Sequence, residues 1–88
     1  MVSPDPAAAL RRPSAREVLA FNVLAHRHAR GWSQEALAFE AGLHRTFIAH
    51  VERQARNIAL DNLERIALAL GVESFELLLP QGSSPPAS

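Results

Sequence analysis

The stretch Gly31–Asn57, GWSQEALAFEAGLHRTFIAHVERQARN, decides how the chain folds. Ser33 stands just before the apolar positions Leu37, Ala38 and Ala41. A serine there caps a helix, because its hydroxyl accepts a hydrogen bond from one of the free N–H groups of the first turn. Trp32 is spaced to pack on Leu37 as a hydrophobic staple. The segment from Gln34 to Ala41 is about two turns long, and its alanines allow another helix to approach closely. Gly42 supplies the positive φ of a tight turn, and Leu43 fills the angle behind it. The next helix begins at Arg45 and ends at Glu52 or Arg53, with Ile48 and Val51 facing inward. Arg45, Thr46, Ala49 and His50 point away from that core face. On this pattern alone, two readings stand level: a surface that enters a nucleic-acid groove, or an ordinary solvated helix face.

On the N-terminal side, Ser14 and Glu17 have the S-x-x-E spacing of a capping box and open a helix that reaches Arg30. Leu19, Val23 and then His26 or Arg27 form its inward stripe, flanked by Val18 and Leu24, and Gly31 ends it. His26 is expected to be half-buried; no second ligand is suitably spaced for a metal. On the C-terminal side, Gln54 to Ala59 is a polar connection. Leu63, Ile66, Ala67 and Leu70 then mark a fourth helix, Leu60 to Leu70, weakly capped by Ala59 and closed by Gly71. A fifth short helix is expected from Ser74 to Leu79, with Phe75 and Leu78 inward and Leu77 and Leu79 outward, stopped by Pro80. Residues 1–13 read as a disordered N-terminal arm, in which Arg11 and Arg12 are more simply solvated than DNA-reaching. Residues 14–79 form one domain, and residues 80–88 a disordered tail.

The composition bounds what such a chain does. At 88 residues there is room for one small core, and without cysteine neither a disulfide nor a thiolate metal site can support it. No apolar run approaches the roughly 20 residues that span a bilayer, and the N-terminus lacks the pattern of a signal peptide, so a cytoplasmic protein without membrane contact is expected. Net charge is zero, but it is unevenly distributed. Arg27, Arg30, Arg45, Arg53 and Arg56 outweigh Glu35, Glu40 and Glu52, whereas Asp61, Glu64, Glu73 and Glu76 face only Arg65. All basic residues other than histidine are arginine, a pattern that suits phosphates and guanine edges and equally fits codon bias.

With these residues in place, the chain resembles the phage-repressor and Cro-like family of helix-turn-helix regulators, the XRE type. GWSQEALAFEAGL, RTFIAHVER and RNIALDNLERIALALGV carry the likeness in the family's order and spacing, over roughly Leu19 to Leu79. It is similar in size to compact prophage-type repressors and restriction–modification controller proteins. The resemblance implies an all-α, five-helix lambda-repressor-like DNA-binding domain. It further implies that Arg45, Thr46 and His50 contact bases, and that Gln34, His44, Arg53, Arg56 and Asn57 contact phosphates. Arg27 and Glu52 match a partly buried structural ion pair. Gln54 stands where the family commonly has glycine, which implies a left-handed residue there. Ile58 replaces a common proline and becomes a candidate partner contact.

The function expected from this is sequence-specific binding of double-stranded DNA by a transcriptional regulator. A homodimer is expected on a palindromic operator, with the third helix in the major groove. Ile58, Leu68, Leu77 and Leu79 are the candidate dimer contacts. The alternative is a protein-interaction module, such as an antitoxin or adaptor, supported by the zero net charge and by leucines expected at the surface. No catalytic constellation, cofactor motif or metal site is present, so an enzyme is not expected.

Overall fold

Four α-helices and one turn of 3-10 helix make up the computed structural model, which describes residues 13–54 and 57–80; no strand occurs among the described residues. The arm arginines Arg11 and Arg12, the loop Arg56 and the tail at 81–88 lie outside the described residues.

Helix α1, Ala15–Ala29, starts where the sequence places it: the Ser14 hydroxyl accepts the Glu17 N–H, and the Glu17 carboxylate accepts the Ser14 N–H. Helix α2, Gln34–Ala41, is capped by the Ser33 hydroxyl, which accepts the Ala36 N–H at 3.0 Å. It ends at Gly42, φ +69°, where the Leu43 N–H reaches the Ala38 carbonyl and the Gly42 N–H that of Phe39. That pair of bonds is a Schellman motif, and only a residue at ease with positive φ closes it cheaply. Helix α3, Arg45–Glu52, follows after three residues, Gly42 to His44. Helix α4, Leu60–Leu70, begins at Ala59 with no side-chain cap and with Asp61 in its first turn, where a negative charge suits the helix dipole.

Leu19 and Val23 of α1, Leu37, Ala38 and Ala41 of α2, Ile48 and Val51 of α3, and Leu63, Ile66, Ala67 and Leu70 of α4 form one buried cluster. Trp32, Leu43 and Phe47 pack on its edge. A large aliphatic side chain buried this fully contributes about 1.5–3 kcal/mol. Helix α2 packs against both α3 and α4, and α1 backs α3 and the C-terminal turn, so α3 is supported from two sides while its far face stays open.

The C-terminal segment departs from expectation in two ways. Ser74–Leu78 is a 3-10 helix rather than a fifth α-helix. Its inward residue is Leu77, which is 0% exposed, whereas Phe75 and Leu78 lie at the surface. Leu77 therefore belongs to the core and is unavailable as a free dimer contact. The cause is a polar anchor on α1. Asn22 is buried on the same face as Leu19 and Val23, and its amide donates to the carbonyls of Leu77 at 2.9 Å and Leu79 at 2.8 Å. Those bonds hold the segment at a rotation that turns Leu77 inward.

Candidate nucleic-acid interface

Ile48 and Val51 fix the rotation of α3, since both are buried and lie three residues apart on one side of the helix. With that side turned inward, Arg45 and Thr46 are exposed and Ala49 and His50 half-exposed. The helix is thus rigidly seated on apolar contacts and presents polar side chains outward.

A chain of polar contacts ties this helix to the other two. Arg27 donates from Nε to Glu52 Oε2 at 2.7 Å and from Nη2 to Oε1 at 3.0 Å, with the two side chains only 9% and 7% exposed. Its remaining nitrogen, Nη1, donates to the Trp32 carbonyl at 2.8 Å. Gln34 Nε2 donates to the same Glu52 Oε1 at 3.0 Å, and Gln34 Oε1 accepts from Arg45 Nη1 at 3.4 Å. Trp32, Arg27, Glu52, Gln34 and Arg45 are therefore linked in series from α1 across to the exposed face. Gln34 braces α3 through both ends of its amide. Its place at the first position of α2 also sets it beside N–H groups that have no partner within the helix.

His44 occupies the N-cap of α3, with φ −81° and ψ 145°, and its side chain makes no capping bond. The helix end at Arg53 and Gln54 is held in a left-handed turn, with Gln54 at φ +61°. Arg53 is exposed there. Asn57, in contrast, is drawn toward the start of α1, where its side-chain carbonyl accepts from Arg16. Arg45, Thr46, His44, His50 and Gln34 thus gather on and around one helix, while Asn57 sits with Arg16 and Ile58 beside α1.

Three side chains that matter here were not singled out from the sequence. Asn22 is one, and its signal was present: a polar residue three after Leu19 sits in the inward stripe. Arg30 is the second. Its Nη2 donates to the Leu70 carbonyl at 2.6 Å and its guanidinium lies 5.0 Å from the centre of the Trp32 ring, closing the end of α4 with no local sequence cue. Phe47 is the third; it is half-buried on the core edge and, with His44, Thr46 and His50, lines an open notch on α3. Among the described residues no group of three His, Cys, Asp or Glu is placed to hold a metal ion. Nor is any described helix long and apolar enough to cross a membrane.

Two short helices joined at a left-handed glycine, the second seated by its apolar side and open on its polar side, define a helix-turn-helix protein. The chain belongs to the helix-turn-helix family of DNA-binding regulators, whose model matches residues 25–77. A hypothetical transcription factor of Neisseria meningitidis is 54% identical over 65 residues, covering 74% of this chain. This chain spans 61% of the length of that curated relative. The crystal structure of the Neisseria hypothetical transcription factor superposes with a TM-score of 0.75, covering 92% of this chain and 86% of the other at 46% identity. The control protein C.SmaI of Serratia marcescens is 46% identical over 67 residues, covering 76% of this chain and 80% of its own. The restriction–modification controller protein C.AhdI of Aeromonas hydrophila superposes with a TM-score of 0.68 at 40% identity, covering 70% and 94%.

Proposed function

We propose that this chain is a sequence-specific regulator of transcription that binds double-stranded DNA as a homodimer, by binding and not by catalysis, in the cytoplasm. The observation that carries this reading is α3 itself. Its inward side is fixed by Ile48 and Val51, and its outward side offers Arg45, Thr46 and His50 at the end of a braced polar chain. Arg45 pairs with the N7 and O6 acceptors of a guanine, the pairing for which a planar guanidinium is best suited. Its link to Gln34 at 3.4 Å is long enough to be exchanged for a base. Gln34, His44, Arg53 and Arg56 hold phosphates, Asn57 joins them on exchanging Arg16 for a phosphate, and residues 14–79 act as the DNA-binding unit.

One recognition helix covers too few base pairs, so two copies are required, with half-sites about 34 Å apart. Leu68, 82% exposed on α4, is the leading dimer contact, and the half-buried Ile58 and Leu79 are the others. The relatives named as control proteins of restriction–modification support a role in governing the genes of such a system. A second reading, as a module that binds another protein, draws support from Phe39, an aromatic ring 83% exposed on α2. Selecting bound fragments from random DNA with the purified protein separates the two. A recovered inverted repeat with half-sites one helical turn apart supports the regulator, and no enrichment contradicts it.

A further inference from the structure

We propose that the notch lined by His44, Thr46, Phe47 and His50 seats the 5-methyl group of a thymine, which makes Phe47 and Thr46 determinants of sequence choice alongside Arg45. The inference rests on α3 lying in the major groove.

Helix geometry divides the exposed face of α3 into two flanks. Successive residues turn by about 100°, so Thr46 and His50, four apart, share the middle of the face, with Arg45 to one side and Phe47 to the other. Arg45 leans toward Gln34 of α2 and carries donors. From the middle of the face to the Phe47 flank lies the notch of about 360 Å³, open to solvent, and Phe47 gives it a different chemistry. Phe47 offers no donor or acceptor for a base edge or a phosphate oxygen. It is half-buried against the core cluster, so its ring is held by packing before any DNA arrives. Thr46, which also lines the notch, carries a methyl group of its own.

Of the four unmodified bases, only thymine presents a carbon substituent in the major groove; the others offer N7, O6 and amino groups that need polar partners. The Phe47 ring and the Thr46 methyl suit thymine, whereas the polar partners that a guanine or adenine edge needs are confined to His44, His50 and the Thr46 hydroxyl. The notch is larger than a methyl group, which leaves room for the pyrimidine edge that carries it.

The test starts from an operator recovered by selection. Each thymine is replaced in turn by uracil, which removes only the methyl, and each cytosine by 5-methylcytosine, which adds one. One thymine per half-site should lose about fourfold in affinity on becoming uracil, the worth of one buried methyl-sized group at about 0.8 kcal/mol. That loss should shrink to within about twofold in Thr46→Ser and in Phe47→Leu, since a double-mutant cycle isolates the contact. Phe47→Leu keeps an apolar side chain on the core edge, and Thr46→Ser leaves the core untouched, so a fold check by circular dichroism accompanies both. Uracil substitution tolerated everywhere on an operator that still binds overturns the proposal and leaves the DNA-reading function standing. A uracil loss that persists unchanged in both variants also overturns it, because the methyl then acts through DNA shape. A gain from 5-methylcytosine without any loss from uracil overturns the assignment to thymine. Absence of any selected DNA overturns the underlying function with it.

Discussion

Arg27 grips Glu52 through two parallel hydrogen bonds, at 2.7 and 3.0 Å, in a place where both side chains are almost wholly buried. That contact joins α1 to the end of α3, and through Gln34 it also locks α2. It sets the attitude of α3 from its buried side. A buried pair adds little net stability over well-packed apolar side chains, but removing one member strands the other charge. Arg27→Ala or Glu52→Ala should each cost about 3–5 kcal/mol in urea unfolding. The double variant Arg27→Ala with Glu52→Ala should lose less than the two single changes together, and full additivity would show that the pair is not coupled.

Asn22 is a second buried polar anchor. Asn22→Ala leaves the Leu77 and Leu79 carbonyls without their donor and should destabilise the domain by about 1–3 kcal/mol. Amide exchange should rise most in residues 74–79, because those bonds hold the 3-10 turn. Unchanged exchange there would show that apolar packing of Leu77 suffices.

Gln54 is held at φ +61°, a conformation that costs a residue with a Cβ about 1 kcal/mol. Gln54→Gly should raise the melting temperature by at most about 5 °C, because the strain relieved is offset by about 0.4–1 kcal/mol for the freer unfolded chain, at about 4–8 °C per kcal/mol. Gln54→Ala keeps the Cβ and should give no rise. A rise with alanine as large as with glycine would remove backbone strain as the cause.

Leu68 is exposed on α4, and a charge there leaves the monomer core intact. Leu68→Glu should weaken self-association by about tenfold or more, equivalent to about 1.4 kcal/mol, in sedimentation equilibrium. An unchanged association constant would move the interface elsewhere.

How much of this was legible in the sequence depended on how local the cause is. The caps Ser14 and Ser33, the turn at Gly42 and the inward pairs of α3 and α4 are set by residues within a few positions of each other, and the helix bounds match their pattern. The left-handed state of Gln54 was implied only by the family resemblance, which commonly places glycine there. The C-terminal turn did not follow, because its rotation is chosen by Asn22, 55 residues earlier, and not by its own SFELL periodicity. Arg30 likewise caps α4 from 40 residues away. At the interface, Arg45, Thr46 and His50 were legible as outward residues of a short helix. The notch was not, because only the packing of Phe47 on the core edge brings it beside His44, Thr46 and His50.

Arg45 is proposed to choose sequence while the loop after α3 holds the DNA backbone. Affinities of Arg45→Ala and Arg53→Ala for the selected operator and for random duplex DNA, across a salt series, test it directly. Arg45→Ala should lose about 1–3 kcal/mol on the operator and little on random DNA. Arg53→Ala should lose equally on both and reduce the salt slope by about one. Equal losses on operator and random DNA for Arg45→Ala would contradict the assignment.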